Sequence, residues 1–586
     1  MVEEEQPDQS RFDFRLMRRL LGYLRPYTRW VLLTFVLILG ASAAQQAGPY
    51  LTKIAVDDAI VPGKPEGLKN IVLIYILLTL AQFGLSYFQS WVTTMVGQWT
   101  MRDVRMGIFS HLQRLPLRFY DRTPVGLLMT RNTSDVDTLN DLFTDGIVTL
   151  VSDLLTVVTI LVFICLMDLK LGLLVCIILP FVFAITRWFQ NRTFQTFRIA
   201  RVRFGRFTTF LQETISGIEV VQLFSDEQRQ AKRFEKANNG YLDARLKGSW
   251  YHSFYFPFME LCGVLLLALI LWYGGGAALQ QRMDWGVLVA MLQYGPRFFM
   301  PIRDIAERFQ TLQTAMASAE RIFELLDEPP EPQGGDVKRD QVRGAVEFRN
   351  VWFAYVDEEW VLKDVSFSIE PGQSIAFVGA TGAGKSTLIN LISRFYDVQK
   401  GDILVDGVNI REWEVEALRR HIGLVQQDVF LFAGDVESNI RLNEPSITRE
   451  RVERAARMVN ADRFIEALPD GYAHAVQERG SSFSSGQRQL LSFARALAFD
   501  PAILILDEAT ASVDTETEQW IQEAMDKLMS DRTALIIAHR LSTIRHVDRI
   551  LVLHRGRIRE EGSHDELLTL NGVYAHLYQL QQNGGG

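Results

Sequence analysis

The chain has 586 residues, of which 48% are hydrophobic and 22% are charged. A disordered chain is poorer in apolar residues and richer in charge, so this composition excludes disorder for most of the length. There are 61 Lys and Arg against 69 Asp and Glu, a net charge of -8, which excludes the overall basic surface typical of a nucleic-acid-binding protein. The length predicts roughly three to four domain-sized units.

Six apolar stretches between residues 30 and 310 predict six membrane-spanning helices. A helix needs about 20 mostly apolar residues to cross the hydrocarbon layer, and the shorter fourth and sixth stretches can extend into their polar flanks. The predicted spans are Trp30–Leu51, Ile71–Val92, Ile147–Met167, Leu171–Ile185, Phe254–Gly274 and Trp285–Phe299. We expect residues 1–326 to form a transmembrane domain, with an interfacial helix over Phe12–Leu24 before the first span.

Basic residues predict the orientation of these helices. Between Arg11 and Arg29, six arginines stand against the single acid Asp13, and residues 187–251 carry twelve Lys and Arg against six Asp and Glu. Lys and Arg are enriched in cytoplasmic loops. Both termini and the two long, helical connections are therefore predicted on the cytoplasmic side of the cytoplasmic membrane, where the connections would form a stalk.

The second half of the chain has a different pattern. Residues 327–340 begin with a cluster of proline, glycine and acidic residues, which predicts a linker. From 341 to 583, short apolar runs alternate with amphipathic helical segments, which predicts an α/β domain with a largely parallel sheet. The expected strands are Ser374–Val378, Gly423–Val425, Ile503–Leu506, Ala534–Ala538 and Ile550–Leu553.

A glycine-rich loop follows the first of these strands and opens a helix. The segment from Gly379 to Thr387 reads Gly-Ala-Thr-Gly-Ala-Gly-Lys-Ser-Thr, which is the pattern of a phosphate-binding loop. Its glycines let backbone N–H groups converge on phosphates, and the helix start adds partial positive charge. Lys385 is predicted to reach the outer phosphates, and the Ser386 hydroxyl to bind Mg²⁺.

Two further motifs extend this chemistry. The apolar run that ends at Leu506 is followed by Asp507 and Glu508, which predicts a metal-side acid in Asp507 and a general base for an attacking water in Glu508. The segment Phe483–Gln487, Phe-Ser-Ser-Gly-Gln, precedes a helical run and forms a second anion site. One domain needs only one phosphate loop, so a second anion site suggests a nucleotide shared between two domains.

In this order the motifs resemble those of a half-transporter of the ABC exporter family, in which six membrane-spanning helices are fused to one P-loop ATPase domain. The resemblance covers nearly the whole chain. It implies ATP and Mg²⁺ as ligands, and ATP hydrolysis coupled to transport by alternating access. The residues that it assigns to ATP binding are Tyr355, Gly379, Thr381, Gly382, Gly384, Lys385, Ser386 and Thr387. Those assigned to the metal are Ser386, Gln427 and Asp507, and those assigned to hydrolysis are Glu508, His539 and Gln427.

The resemblance favours the adenine-stacking role of Tyr355, and the alternative is a strand-core aromatic like Trp352 or Phe353. The remaining resemblances concern contacts between chains and domains. Those for the signature, which would cap a partner's nucleotide, are Ser484, Ser485, Gly486 and Gln487. The resemblance assigns coupling between the membrane and ATPase domains to Asp121 and Arg122 of the first cytoplasmic loop, followed by Ser134–Asp137, and to Gln212–Glu219 at the entry to the second loop. In the ATPase domain it assigns coupling to Glu478 and Arg479, and contact between the two ATPase domains to Ser512–Asp514.

Ser485 departs from the family pattern, which usually has glycine there. A serine adds a Cβ where glycine lets the backbone approach a phosphate closely, while Lys385, Glu508 and His539 are intact. This combination resembles the consensus-ATPase chain of heterodimeric multidrug exporters. We therefore expect a second, different half-transporter as partner. The alternative is a homodimer that tolerates a neutral substitution.

The membrane half says less about the cargo. Asp153, Glu260 and Arg297 fall within or near spans, where a charge is costly and should face a cavity or a partner. They predict either a site for cationic amphiphiles or structural hydrogen bonds between helices. The expected function is export of hydrophobic small molecules through the lipid bilayer. The alternatives are a homodimeric lipid or glycolipid flippase and, from another class, an ATP-gated channel or regulatory subunit.

Overall fold

The computed structural model describes residues 14–507, 515–530, 532–537, 545 and 547–583, and these fall into two compact units. The helical unit contains the chain up to Gln113 together with Pro124–Glu328. The α/β unit contains Arg114–Thr123 together with the chain from Pro329 onward. The break between Glu328 and Pro329 falls inside the segment that the sequence predicts as a linker.

Long helices make up the helical unit. Counted along the chain, and with α4 belonging to the α/β unit, the helices are α1 Phe14–Gly22, α2 Thr28–Ile54, α3 Pro65–Leu112, α4 Leu117–Arg122, α5 Val125–Thr130, α6 Val136–Asp141, α7 Val148–Met167, α8 Leu169–Ser216, α9 Ile218–Leu223, α10 Glu227–Leu279 and α11 Trp285–Asp327. Single π-helical turns, Ala55–Ile60, Arg131–Asp135 and Leu142–Ile147, extend α2 and join α5, α6 and α7. Both predicted connections are helical, with breaks at 113–116 and 123–124 in the first and at 217 and 224–226 in the second. The 48 residues of α8 extend for about 70 Å.

Five helical segments among the described residues are long and apolar enough to cross a membrane. They are Arg25–Ile60, Pro65–Leu112, Val125–Met167, Leu169–Ser216 and Glu227–Leu279. The sixth predicted span lies at the start of α11, which does not reach the same apolar character because Gln293, Pro296 and Arg297 interrupt it. The sequence prediction therefore holds for five helices by composition, and the sixth is a long helix with a more polar stretch.

The core of the helical unit lies between α7, α8, α10 and α11. Ile160, Met259, Ala290, Tyr294 and Phe298 are among its most buried side chains. Many apolar side chains of the same helices remain exposed, for example those of Ile177 and Trp272, which are 77% and 81% exposed. An extended exposed apolar surface is typical of a chain that contacts lipid or other protein.

The N-terminal helix α1 packs on the end of α11 within the helical unit. Its one buried residue is Leu20, and the Arg19 guanidinium donates to both carboxylate oxygens of Asp327 at 2.7 and 2.8 Å. The same guanidinium lies 4.2 Å from the centre of the Phe323 ring. The interfacial helix predicted over Phe12–Leu24 is therefore a helix from Phe14, and its anchor on α11 was not predicted.

The α/β unit contains both parallel and antiparallel strands. Its strands are β1 Val346–Ala354, β2 Trp360–Ile369, β3 Ser374–Val378, β4 Lys400–Val405, β5 Val408–Asn409, β6 Ile422–Val425, β7 Gly434–Asp435, β8 Ala475–Val476, β9 Ile503–Asp507, β10 Thr533–Ile537, β11 Arg549–His554 and β12 Arg557–Gly562. Its helices after α4 are α12 Lys385–Ile392, α13 Val415–Arg420, α14 Val436–Arg441, α15 Arg449–Met458, α16 Asp462–Ile465, α17 Ser485–Phe499, α18 Thr515–Met529, α19 His564–Thr569 and α20 Val573–Asn583. All five predicted strands are present, apart from Ala538, which lies outside the described residues.

The larger sheet has six strands in the order β12-β11-β3-β10-β9-β6, and all neighbours are parallel except β11 and β12. A four-stranded antiparallel sheet, β2-β1-β4-β5, packs on one face of it. The strands are buried on both faces: Ile503 and Ile505 of β9 join one core, and Leu504 and Leu506 join the other. Because β3, β6, β9 and β10 run in parallel, their carboxyl ends meet at one edge of the sheet.

The segment predicted as a linker is held on the α/β unit over much of its length. Arg419 donates two hydrogen bonds to the Glu331 carboxylate at 2.6 and 2.9 Å. Gly335 and Val337 then donate from their backbone to the carbonyls of Trp413 and Glu412, each at 3.0 Å. These bonds leave Glu328–Pro330 as the short stretch between the two units.

Candidate nucleotide site

The phosphate loop joins the end of β3 to the start of α12. Gly384, the residue before α12, has a φ of 105°, which a residue with a Cβ adopts only with strain. No side chain of the described loop caps the first turn of α12, so its N–H groups are available to an anion. A Cβ at Gly382 would meet nothing within 4 Å. The space beside Gly382 is thus open, which leaves the helix start accessible to a phosphate group.

Lys385 is buried at the start of α12. Its ammonium donates to the carbonyls of Gly379 and Ala380 at 2.7 and 3.3 Å. Burial lowers the pKa of Lys385 below its ordinary value, and the Asp507 carboxylate acts in the opposite direction. The ammonium is thus held by loop carbonyls, and Asp507 is close enough to influence it.

The residues assigned to the metal lie at the carboxyl edge of the sheet. Asp507 is the last residue of β9, Gln427 follows the neighbouring strand β6 by two residues, and Ser386 is exposed at the start of α12. Together they offer a carboxylate, an amide and a hydroxyl oxygen. Oxygen donors of this kind are the ones that Mg²⁺ prefers, so the donor set fits the ion. When bound, Mg²⁺ would neutralise phosphate charge.

Three predicted elements lie outside the described residues: Glu508, His539 and the segment Ser512–Asp514. Glu508 directly follows Asp507, and His539 follows the end of β10 by two residues. The strands that lead to both residues are therefore in place at the carboxyl edge.

Tyr355 directly follows β1 and is half-buried beside the phosphate-loop helix. Its hydroxyl donates to the Thr387 hydroxyl at 3.2 Å and accepts from the Asn390 amide at 3.2 Å. Its ring lies 4.8 Å from the ring of Phe353 and 5.1 Å from that of Tyr396. The ring therefore packs against core aromatics while the hydroxyl reaches the phosphate-loop helix, and the adenine-stacking role stays a prediction.

The signature segment caps the long helix α17. The Ser484 hydroxyl accepts from the Gln487 N–H at 3.2 Å, and the Gln487 side chain accepts from the Ser484 N–H at 3.0 Å. This capping box satisfies backbone donors at the helix start. Ser485 is the first residue of α17 and is exposed, and Gly486 is buried. The fold therefore accommodates a serine at 485 in ordinary helical backbone.

The coupling residues fall into different surroundings. Asp121 and Arg122 lie on α4 in the α/β unit, where the Tyr396 hydroxyl donates to Asp121 and Arg122 donates to the Tyr355 carbonyl at 3.4 Å. Glu478 and Arg479 form an exposed single turn, with Arg479 at a φ of 56°.

The residues that follow the first loop in sequence lie in the helical unit. Asp135 is only 5% exposed in the helical unit, where it accepts hydrogen bonds from Ser318 and Arg321 of α11. Asp135 therefore ties helices together in that unit. The segment Gln212–Glu219 contains the end of α8 and the start of the short helix α9. Leu223, the last residue of α9, and Phe224 after it are exposed.

The three charged residues of the membrane half are not equivalent. Arg297 donates to the Gln45 carbonyl of α2 at 3.1 Å, and Pro49, four residues on, lacks the N–H that would otherwise satisfy that carbonyl. Asp153 on α7 lies within electrostatic range of Asp304 and Arg308 of α11, and Glu260 is exposed on α10. The Arg297 contact favours the structural alternative for that residue.

Two residues that sequence reasoning missed organise the site's surroundings. Half-buried Arg495 of α17 donates to the carbonyls of Asn439 at 2.9 Å and Phe430 at 3.2 Å, and burial lowers its pKa. It thereby fixes the segment that follows Gln427. The other residue is Tyr396, whose partner Asp121 is 275 positions away in sequence. No motif or periodicity marks either one.

Comparison with known proteins agrees with this arrangement. Residues 31–302 match the ABC transporter transmembrane region, and residues 362–511 match the ABC transporter family. The "Uncharacterized ABC transporter ATP-binding protein YknV" of Bacillus subtilis is 38% identical over 575 residues, 97% of this chain and 95% of its own. The "ATP-dependent lipid A-core flippase" of Pseudomonas fluorescens is 38% identical over 593 residues, 98% of both chains. The "Probable multidrug resistance ABC transporter ATP-binding/permease protein YheH" of Bacillus subtilis is 38% identical over 529 residues, 88% of this chain and 77% of its own.

Apolar helices of membrane-spanning length, joined to a phosphate-loop α/β unit, define a multi-pass membrane transporter driven by ATP. The chain belongs to the ABC transporter family, as an exporter-type half-transporter with a transmembrane region and an ATP-hydrolysing domain. Both the predicted family and the predicted fold class are confirmed.

Proposed function

We propose that the protein exports hydrophobic or amphiphilic compounds across the cytoplasmic membrane by alternating access, with both termini in the cytoplasm. Residues 1–326 would form the transmembrane domain, 327–340 the linker and 341–583 the nucleotide-binding domain. The observation that carries the proposal is the phosphate loop with Asp507 and Gln427 at one edge of the sheet, in a chain with five helices apolar enough to span a membrane. The names of relatives, which refer to multidrug resistance and to a lipid A-core flippase, support this substrate class.

In this proposal each residue of the site has one task. Lys385 exchanges its two loop carbonyls for the outer phosphates of ATP, since both the loop oxygens and the phosphate oxygens accept its hydrogen bonds. Ser386, Gln427 and Asp507 would hold Mg²⁺. Glu508 takes a proton from the attacking water, and His539 contacts the γ-phosphate. The ordered backbone of α12 provides the N–H groups that position the phosphates.

The site also requires a second chain. The start of α17, with Ser484 and Gln487 at its cap, would face the nucleotide of that partner, and α9 with the exposed Leu223 and Phe224 provides an apolar surface for its nucleotide-binding domain. ATP binding would close the two domains, and hydrolysis would separate them. Ser485 favours a heterodimer with a different half-transporter. A serine at this position costs the fold little, but it would place a Cβ close to a phosphate of the partner's nucleotide. The alternative is a homodimer.

The cargo site is the least defined part of the proposal. Arg297 is engaged with the Gln45 carbonyl, which leaves Asp153 as the better candidate to contact a cationic amphiphile, since one of its carboxylate oxygens is buried without a hydrogen-bond partner among the described residues. Glu260 is exposed on α10 and would meet the partner chain or lipid.

Vectorial transport in liposomes tests the proposal. The purified protein, alone and with any half-transporter that co-purifies with it, is reconstituted with its nucleotide site outward and given rhodamine 6G or a fluorescent phospholipid. We expect ATP-dependent accumulation above the equilibrium level, abolished by Lys385→Ala. Equilibration without accumulation would instead indicate an ATP-gated channel, and no ATP-dependent movement of either probe would refute the proposed substrate class.

A further inference from the structure

The segment Arg114–Thr123, here called the coupling segment, belongs to the α/β unit although it interrupts the helical unit in sequence. Three polar contacts hold it there. The Arg114 carbonyl accepts from the Glu331 N–H at 2.7 Å, Asp121 accepts from the Tyr396 hydroxyl, and Arg122 donates to the Tyr355 carbonyl at 3.4 Å. Two of the three contacts lead to a pair of tyrosines.

These two tyrosines touch each other and reach the nucleotide site. The rings of Tyr355 and Tyr396 meet edge to face, with centroids 5.1 Å apart and planes at 88°, a favourable arrangement for aromatic pairs. The Tyr355 hydroxyl is bonded to Thr387 and Asn390 on the phosphate-loop helix, each at 3.2 Å. A short path of contacts therefore runs from the phosphate-loop helix through Tyr355 and Tyr396 to Asp121.

The Tyr396 hydroxyl is suited to be a permanent donor in this path. Burial, and then the bond to the Asp121 carboxylate, hold the pKa of Tyr396 above its usual range, so the phenol keeps its proton at any physiological pH. A hydrogen bond to a charged acceptor is about twice as strong as a neutral one. Phe353 packs against both rings, with centroids 4.8 and 5.6 Å from those of Tyr355 and Tyr396. Movement of one ring is thus transmitted to the other through packed contacts.

We infer that Tyr396 is a positioning residue that reports nucleotide occupancy at Tyr355 to the coupling segment. The inference rests on the proposed function, because it takes Tyr355 as the ring on which adenine stacks. To stack, the ring has to settle against the base, and this changes the bonds of its hydroxyl to Thr387 and Asn390. The edge-to-face contact then shifts Tyr396, and the bond to Asp121 carries the change to the coupling segment.

Hydrogen–deuterium exchange tests this path in the full-length protein reconstituted in lipid nanodiscs. Exchange of residues 114–123 is measured with and without saturating Mg²⁺ and the non-hydrolysable analogue AMP-PNP, whose binding is measured separately by calorimetry. In the wild-type protein we expect the nucleotide to slow exchange of this segment by about threefold or more, because a Tyr396 hydroxyl held against Asp121 opposes the local opening that exchange requires. In Tyr396→Phe we expect normal AMP-PNP binding and loss of that nucleotide-dependent change.

A matched control removes the same atom elsewhere in the unit. Tyr574 is buried and its hydroxyl bonds to the His564 ring at 2.6 Å, away from the coupling segment in sequence and contact. Tyr574→Phe should keep the full nucleotide-dependent change. At the other end of the bond, Asp121→Asn keeps an acceptor and should retain at least half of the response, whereas Asp121→Ala should lose it. This pair tests the path even if Tyr396→Phe does not fold.

The outcomes separate this inference from the proposed function. Failure of the wild-type protein to bind AMP-PNP would refute both. Normal binding with no change in the exchange of residues 114–123, or the same change in wild-type protein and Tyr396→Phe, would refute the Tyr396 path alone. Equal responses of Asp121→Asn and Asp121→Ala would also refute it, because the acceptor would then be irrelevant.

Discussion

Replacing Ser484 by alanine removes one hydroxyl that has two tasks in this account. In the structure it caps α17 by accepting from the Gln487 N–H at 3.2 Å, and loss of such a cap costs about 1 kcal/mol. For a unit of this size, that cost lowers the unfolding midpoint of the α/β unit by about 2–4 °C. The second task, contact with the partner's nucleotide, would appear in turnover.

The magnitude of the turnover loss depends on the partner. With a different half-transporter whose own site turns over slowly, Ser484→Ala should reduce ATP hydrolysis by no more than about fivefold, which equals about 1 kcal/mol of activation free energy, because a slow site has little rate to lose. In a homodimer the hydroxyl faces a working site twice, and Ser484→Ala should reduce hydrolysis about as severely as Glu508→Gln. Ser484→Asn separates the two tasks, because asparagine caps helices as well as serine but lacks the hydroxyl.

The assay measures steady-state ATP hydrolysis and thermal unfolding for Ser484→Ala, Ser484→Asn and Glu508→Gln, in the complex and in this chain alone. We expect the midpoint to return to the wild-type value in Ser484→Asn while turnover stays at the Ser484→Ala value. If Ser484→Asn restored turnover as well, the hydroxyl would act only as a cap. If Ser484→Ala and Glu508→Gln collapsed equally, or if this chain transported without a partner, the heterodimer would be wrong.

Three further predictions concern the site and its coupling. Gly384→Ala forces a residue with a Cβ to a φ of 105° and brings that Cβ within 2.7 Å of a Leu362 methyl. The resulting strain of about 1–3 kcal/mol should weaken nucleotide binding at least about fivefold in a fluorescence titration. Wild-type affinity would contradict the geometry. Lys385→Ala should weaken ATP binding itself, checked in the same titration, and unaltered affinity would remove Lys385 from the phosphate contacts. Asp121→Ala or Arg122→Ala should leave basal hydrolysis near the wild-type rate but lower its stimulation by rhodamine 6G, and equal loss of both rates would argue against coupling.

The parts of the fold that the sequence predicted are those with local signals. The strand Ser374–Val378 is a short apolar run that ends at a glycine-rich loop, and Ile503–Asp507 is one that ends in acids, so both were found with their ends nearly right. The helical run after Gln487 predicts a start of α17 at Arg488, whereas the structure starts it three residues earlier at Ser485, because the cap at Ser484 belongs to a separate motif. Local spacing is sufficient for such elements.

The contacts that were missed depend on residues far apart in the chain. Whether Arg297 satisfies a carbonyl or faces cargo is decided by Pro49 on a neighbouring helix, and a single sequence does not show which helices pack together. Asp135 follows the first coupling loop in sequence but is buried against α11. Tyr396 has an acceptor 275 positions away. In each case tertiary packing, and no local pattern, determines the role.

The central claim is that hydrolysis at this site drives transport, and Glu508→Gln tests it most directly. The substitution leaves Lys385, Ser386 and Asp507 unchanged, so ATP binding should remain. Loss of a general base should reduce hydrolysis by a factor of about 10²–10⁴. In proteoliposomes we therefore predict wild-type ATP affinity together with loss of ATP-dependent rhodamine 6G accumulation. Near-normal hydrolysis, or continued accumulation without hydrolysis, would contradict the account.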